Sequence, residues 1–221
     1  MIDGVIFDMD GILFDTERLI NECIASIGAE YGIDNTDYFI NNCIGVSTAE
    51  TKAFYRKELG EDFPIDEMYE KIRQMNNIRL AEGGMPVKPG VYLMLEYLKT
   101  NRYQIGLASS SSRKSIMHHI EAANMTEYFS VIVAGDEVEK GKPEPDIYLK
   151  ALEKMNLKGK TVIAFEDSPN GLKAATRAGI NAIMIPDIIP YSEELEPYVF
   201  ERFNSMTSAL EALKKGEIRP E

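Results

Sequence analysis

Cysteine and histidine are scarce here, two of each in 221 residues. Cys23 and Cys43 are too few for a disulfide framework, and their apolar neighbours make them free thiols of a reducing compartment. Basic residues are also in short supply, 24 Lys and Arg against 36 Asp and Glu, for a formal net charge of -12. That balance argues against nucleic acid, whose phosphates reward a basic face, and against anionic membrane surfaces. A small anionic ligand stays compatible with it, because a local cluster of donors or a metal overrides the overall charge. No run approaches the ~20 apolar residues that span a bilayer. The N-terminus lacks the basic region and cleavage site of a signal peptide. A cytoplasmic protein is the expectation.

The remaining composition is ordinary for a chain with a proper core, 44% hydrophobic and 27% charged, and the length suits one large domain or two modest ones. Five short, β-branched apolar runs stand out, Val5–Phe7, Ile105–Ala108, Val131–Ala134, Val162–Phe165 and Ile183–Ile185. Each is continuous rather than alternating, as in strands buried on both faces of a parallel sheet. Helical patterns follow the second, third and fourth runs, so residues 90 to 190 read as a doubly wound α/β domain.

About ninety residues separate the first run from the second without a comparable strand. Three helical patterns fill the interval, "TERLINECIASIGAEYG", "STAETKAFYRKELG" and "PIDEMYEKIRQMNNIRLAEG". In the first, Leu19, Ile20, Cys23, Ile24 and Ile27 fall on one face. The third ends at Gly83-Gly84, with Pro86 and Pro89 beyond it, a linker signature. The expected organisation is a core of residues 1–15 and 88–221 with an inserted helical domain, 16–87.

In a parallel α/β sheet, ligands gather beyond the carboxyl ends of the strands. The first run ends in Asp8-Met9-Asp10-Gly11, the second in Ser109–Ser112 before a helix, and the fourth in Glu166-Asp167; a loop after the third carries Lys140 and Lys142. Clustered carboxylates ask for a hard cation, and Mg²⁺ takes oxygen ligands. The serine run opens a helix and so offers hydroxyls and free N–H groups to an anion. Lys142 adds a full charge. A metal, an anion site and a spare carboxylate together describe phosphoryl transfer, in which a carboxylate attacks phosphorus and a second acid protonates the leaving oxygen.

Each feature has a plainer reading. A calcium loop fails on spacing, since Leu19 occupies the position of the bidentate glutamate. The serine run serves equally as a helix cap, and Ser168-Pro169 as an N-cap with proline at the first helical position. Lys142 alone reads as a solvated surface lysine. "GDEVEKGK" has one residue too many for a GxxxxGK phosphate loop. His118 and His119 lie mid-helix and read as packing or surface residues. The joint arrangement carries the weight.

With these residues in view, the chain resembles the haloacid dehalogenase-like superfamily, in the branch of β-phosphoglucomutase and small sugar-phosphate phosphatases. "DMDGILFDTE", "IGLASSSS", "KGKPEPDIY" and "FEDSPNGLKAA" match its four motifs in order. The resemblance implies a Rossmann-like core with a helical cap, and Asp8 as nucleophile with Asp10 as general acid and base. Ser109, Ser110 and Lys142 would hold the transferring phosphate. Asp8, Asp10 through its carbonyl, Asp167 and Glu166 would bind Mg²⁺. In the cap, Thr16, Gly45 and Ser47 would contact a small phosphorylated metabolite, and the protein would be a monomer.

If water accepts the phosphoryl group, the resemblance implies a phosphatase; if a sugar hydroxyl does, a mutase. Mutases of this branch carry a histidine where this chain has Ile20 and an arginine where it has Thr48. A hydroxyl cannot replace a bidentate phosphate clamp, so the expectation is a phosphatase, with a mutase as the alternative. Lys52 and Arg79 are candidates to compensate. Ser47 and Glu50 also have the spacing of a capping box. An aspartate-phosphorylated receiver module is disfavoured, because both acids here end one strand. A silent phosphate-binding relative is set apart by replacing Asp8.

Overall fold

The computed structural model describes residues 2–43 and 48–220. The chain divides into two compact units, Met1–Asp15 with Val87–Glu221, and Thr16–Pro86.

The first unit is built on a six-stranded parallel sheet in the order β3-β2-β1-β4-β5-β6. The strands are β1 (Gly4–Phe7), β2 (Gln104–Ser109), β3 (Val131–Ala134), β4 (Val162–Glu166), β5 (Asn181–Met184) and β6 (Glu201–Arg202). All four residues of β1 and all five of β4 are buried, which explains why these runs are continuously apolar. Register is what positions the site. Phe7 lies opposite Leu107 on one side and Phe165 on the other, so the residues after these three emerge side by side at one edge.

Two differences from the sequence reading have local causes. β5 begins two residues early, at Asn181, whose side-chain amide donates to the carbonyls of Lys160 and Val162 and so satisfies a polar residue inside the sheet. β6 is a two-residue strand, Glu201-Arg202, paired with Ile183 and Met184; with no apolar run of its own it has no sequence signal.

Among the described residues of this unit, α5 (Val91–Thr100), α6 (Arg113–Ala122), α7 (Asp146–Met155) and α8 (Pro169–Arg177) pack on the sheet, and α9 (Met206–Lys214) packs on α5. α7 turns Ile147, Tyr148, Ala151, Leu152 and Met155 inward, a spacing of about one helical turn that makes a single buried stripe. α8 presents small residues, Gly171, Ala174 and Ala175, beside Leu172. Its N-cap is Ser168, which accepts from the Gly171 N–H at 3.0 Å, with Pro169 following. The cap reading of "DSPNG" therefore holds. α6 is likewise capped by Ser112, which accepts from the Ser115 N–H.

The second unit is helical: α1 (Thr16–Glu30), α2 (Thr36–Cys43), α3 (Thr48–Leu59) and α4 (Ile65–Gly83). α2 has no counterpart in the sequence reading; its eight residues bury Phe39 alone, too little for a periodic signal. The core joins Cys23, Ile27, Ile33, Phe39, Tyr55, Ile65, Met68 and Ile72, with Phe39 and Tyr55 rings 4.7 Å apart. Cys23 and Ile27 lie on the buried face of α1 as expected, whereas Ile20 is 36% exposed. Both cysteines are free thiols. Among the described residues no helix is long and apolar enough to cross a membrane.

Candidate active site

β1 ends in a tight loop that aims its acids. The Met9 carbonyl accepts from the N–H groups of Leu13 and Phe14, while the Gly11 N–H donates to Phe14 O at 2.9 Å. The Asp8 N–H donates across the strand end to Phe165 O at 3.0 Å. Gly11 has φ 79°, and a Cβ there would stand 2.1 Å from Asp167 Oδ2. Only glycine combines that conformation with so close an approach by the carboxylate.

Lys142 is not the surface lysine that a single-residue reading suggests. Its side chain is 6% exposed. Nζ donates to Asp8 Oδ1 at 2.6 Å, to Glu166 Oε1 at 2.6 Å and to the Ala108 carbonyl at 3.2 Å. Glu166 is wholly enclosed: Oε1 also accepts from the Tyr148 hydroxyl at 2.5 Å and Oε2 from Ser168 Oγ at 3.3 Å. A Cβ on Gly171 would fall 2.0 Å from its carboxylate atoms, so the glycine of "PNG" is what lets α8 begin against a buried acid.

The serine run divides its labour. Ser109, buried at the end of β2, accepts from the Ser111 N–H at 3.1 Å. Ser111 Oγ donates to Asp10 Oδ2 at 3.3 Å. Ser110 is exposed, and a Cβ on Gly135 would meet its carbonyl oxygen at 2.2 Å. Ser112 is the cap. Ser111 is a contact that the sequence reading passed over, because four adjacent serines carry no internal signal of which one faces an acid. Tyr148 is another, although a tyrosine on the buried stripe of a helix always needs a partner for its hydroxyl.

Electrostatics follow from burial. Desolvation pushes the Asp8 carboxyl up to about 7, although Lys142 opposes it, and Glu166 and Asp10 add repulsion. Burial works against the charged form of Lys142, yet Asp8 and Glu166 together raise it above the ordinary lysine value. Oxygens of Asp8, Glu166 and Asp167 all lie within 4.8 Å of one another. Lys142 contacts two of these three carboxylates, and the excess negative charge with its all-oxygen donors fits a hard divalent cation. His119 packs edge-on to Phe14 at 5.9 Å, and burial lowers its pKa against the opposing charge of Asp10.

The structure therefore brings Asp8, Asp10, Ser109, Lys142, Glu166 and Asp167 to one sheet edge, with Ser110 exposed beside them. Thr16 opens α1. Gly45 and Ser47 lie outside the described residues. Both candidate compensating cations are engaged within the helical unit, Lys52 with Asp66 at 2.6 Å and Arg79 with Glu22 at 2.8 Å.

This geometry agrees with what comparison finds. The haloacid dehalogenase-like hydrolase family matches residues 5–185, and the chain belongs to that family. It is 33% identical over 182 residues to a phosphorylated carbohydrates phosphatase of Thermotoga maritima, covering 82% of this chain and 84% of that one. Among solved structures, it resembles a Thermotoga maritima protein provisionally named a β-phosphoglucomutase, with 29% identity, a TM-score of 0.83 and coverage of 97% and 99%. It also resembles the CbbY protein of Rhodobacter sphaeroides in complex with phosphate, with 27% identity, a TM-score of 0.75 and coverage of 94% and 96%.

Proposed function

We propose that the chain is a Mg²⁺-dependent phosphomonoester hydrolase that cleaves a small phosphorylated carbohydrate through an aspartyl-phosphate. The observation that carries this reading is Lys142 Nζ bridging Asp8 Oδ1 and Glu166 Oε1, 2.6 Å from each, at a sheet edge shared with Asp10, Ser109 and Asp167.

In the proposed reaction an Asp8 oxygen attacks phosphorus in line, and the bond from phosphorus to the sugar oxygen breaks. Asp10 gives its proton to the departing oxygen. Water then attacks phosphorus, Asp10 takes back a proton, and the bond to Asp8 breaks to release inorganic phosphate. Lys142 and the Ser109 hydroxyl hold the phosphoryl oxygens, and the Ser111 hydroxyl fixes the carboxyl of Asp10. Asp8, Glu166, Asp167 and the Asp10 carbonyl would hold Mg²⁺, which when bound supplies charge neutralisation to the phosphoryl group and keeps Asp8 ionised. Thr16, Gly45 and Ser47 are the helical unit's proposed substrate contacts.

One observation favours a mutase instead, the likeness to the provisionally named Thermotoga β-phosphoglucomutase. A single reaction separates the two: Mg²⁺, β-glucose 1-phosphate and a trace of the 1,6-bisphosphate, with glucose 6-phosphate and free phosphate followed together. Phosphate without isomerisation supports the hydrolase, and hexose and pentose phosphates then rank the substrates. Isomerisation outpacing phosphate release overturns it. In either case Asp8→Asn is expected to abolish turnover of every ester while leaving the circular dichroism spectrum unchanged.

A further inference from the structure

We propose that Tyr148 is a positioning residue for phosphoryl transfer: its hydroxyl holds Glu166 so that Lys142 stays aimed at Asp8. The proposal rests on the hydrolase reading and concerns a residue that performs no chemistry of its own.

Tyr148 lies in the first turn of α7, six residues after Lys142, and is 0% exposed. Its ring belongs to the buried apolar cluster that includes Ile6, Ala108, Ile147 and Ala151. Phenylalanine would fill that space equally well, and a buried hydroxyl without a partner is costly. The hydroxyl does have a partner, and it is the oxygen that Lys142 also uses. Tyr148 Oη donates to Glu166 Oε1 at 2.5 Å, while Lys142 Nζ donates to the same atom at 2.6 Å. The ring of Tyr148 lies against Lys142 as well, with Nζ 5.2 Å from its centroid. One side chain thus touches both members of the buried ion pair.

The ammonium leaves little freedom elsewhere. Its three hydrogens have three acceptors, Asp8 Oδ1, Glu166 Oε1 and the Ala108 carbonyl, and the aromatic ring closes a further side. Asp8 and Glu166 compete for Lys142 at equal distance. A phenolic donor on Glu166 satisfies part of that carboxylate's demand and weakens its pull on the ammonium. Without it, Glu166 draws Lys142 toward itself and away from the oxygen that must attack phosphorus. A displacement of this kind harms the transition state more than substrate capture.

The experiment compares wild type, Y148F and Y148L, with p-nitrophenyl phosphate and Mg²⁺ for turnover and orthovanadate, a five-coordinate phosphoryl mimic, for binding by calorimetry. For Y148F we expect kcat to fall about tenfold with KM within about twofold, and the vanadate dissociation constant to rise about tenfold. In an E166Q background, Tyr148→Phe should change vanadate binding less than about twofold, because the partner of the hydroxyl is already altered. Wild-type kcat and vanadate affinity in Y148F, with loss only in Y148L, would make the residue a core filler and overturn the proposal. So would a Y148F chain that fails to fold, since the hydroxyl would then be structural. If wild type hydrolyses no phosphate ester, the hydrolase reading falls and vanadate binding alone decides the role of Tyr148: weaker binding in Y148F sustains it, and equal or absent binding ends it.

Discussion

Among the ions that each unit holds between two of opposite sign, Lys142 and Asp66 make arrangements that are mirror images in charge. In the sheet unit Lys142 lies between Asp8 and Glu166, with side-chain exposures of 6%, 12% and 0%. In the helical unit Asp66 lies between Lys52 and Arg56, at 2.6 and 2.8 Å, with side-chain exposures of 67%, 28% and 35%. The distances are nearly the same. Water makes the difference. An exposed triad exchanges solvent contacts for protein contacts at little net gain, and salt screens it. A buried triad has given up its hydration and depends on each partner, so removing one strands the others. The same geometry is therefore decoration on one unit and a commitment in the other. Such a commitment is kept where chemistry needs charges held without water.

The comparison breaks most visibly at Lys142. Lys142→Met leaves Asp8 and Glu166 facing each other, a loss of about 3–5 kcal/mol in unfolding free energy at pH 8. Urea denaturation of the metal-free protein measures it. Turnover should fall by a factor of about a hundred or more, as when a principal electrostatic donor is removed. At pH 5 the cost should shrink, because Asp8 takes up a proton more readily once its ammonium is gone. A loss of stability no larger than that of a surface substitution would show that the triad is wetter than its burial indicates.

The sequence makes the sheet edge readable because strand register and motif order agree there. Phe7 and Phe165 are the last apolar residues before a polar break in their runs, Leu107 lies one residue before the end of its own, and the sheet sets the three side by side. What the sequence hides is pairing across distance. Glu166 and Tyr148 are joined over 18 residues by a hydrogen bond, and nothing in "KPEPDIY" says which acid the phenol will meet. Gly171 is similar, a plain helix residue until the Glu166 carboxylate is found where its side chain would be. Ile20 shows the opposite failure: helical spacing groups it with Cys23 and Ile27, yet it is 36% exposed, because a stripe of five apolar residues is wider than the face that α1 buries. The two-residue β6 is invisible for want of length.

A middle-sized effect comes from pH. The folded Asp8 carboxyl, pushed up to about 7 by desolvation, holds its proton through a range in which the unfolded chain, with an aspartate near 3.9, has lost it. Protons bound to the folded state favour it, so the stabilisation is full below about pH 4 and lost as pH rises to about 7. Other carboxylates have their own slopes, so the test is a difference. Urea midpoints of wild type and Asp8→Asn are compared at pH 5 and pH 8 in EDTA. Wild type should lose ground to the asparagine variant at pH 8, by a few kcal/mol at most. Added Mg²⁺ should return that ground to wild type, because a bound cation stabilises the ionised carboxylate. An unchanged difference at the two pH values would mean that Lys142 already neutralises Asp8 without help.

The smallest effect tests the exposed half of the comparison. The pKa of Asp66 is lowered, chiefly by the hydrogen bond from Lys52, which on geometry alone would look like a stabilising triad. Its exposure argues otherwise. Asp66→Asn is expected to leave the urea midpoint and the turnover of p-nitrophenyl phosphate within error of wild type, in low salt and at physiological salt alike. A clear destabilisation in low salt that disappears on adding salt would mean that Lys52 and Arg56 repel each other once Asp66 is neutral. The acid's work would then be to keep two cations together on one helix, α3, rather than to bind α3 to α4. Destabilisation that persists in high salt would sink the contrast itself, since an unscreened contribution belongs to a pair shielded from water, and the two triads would then differ in degree only.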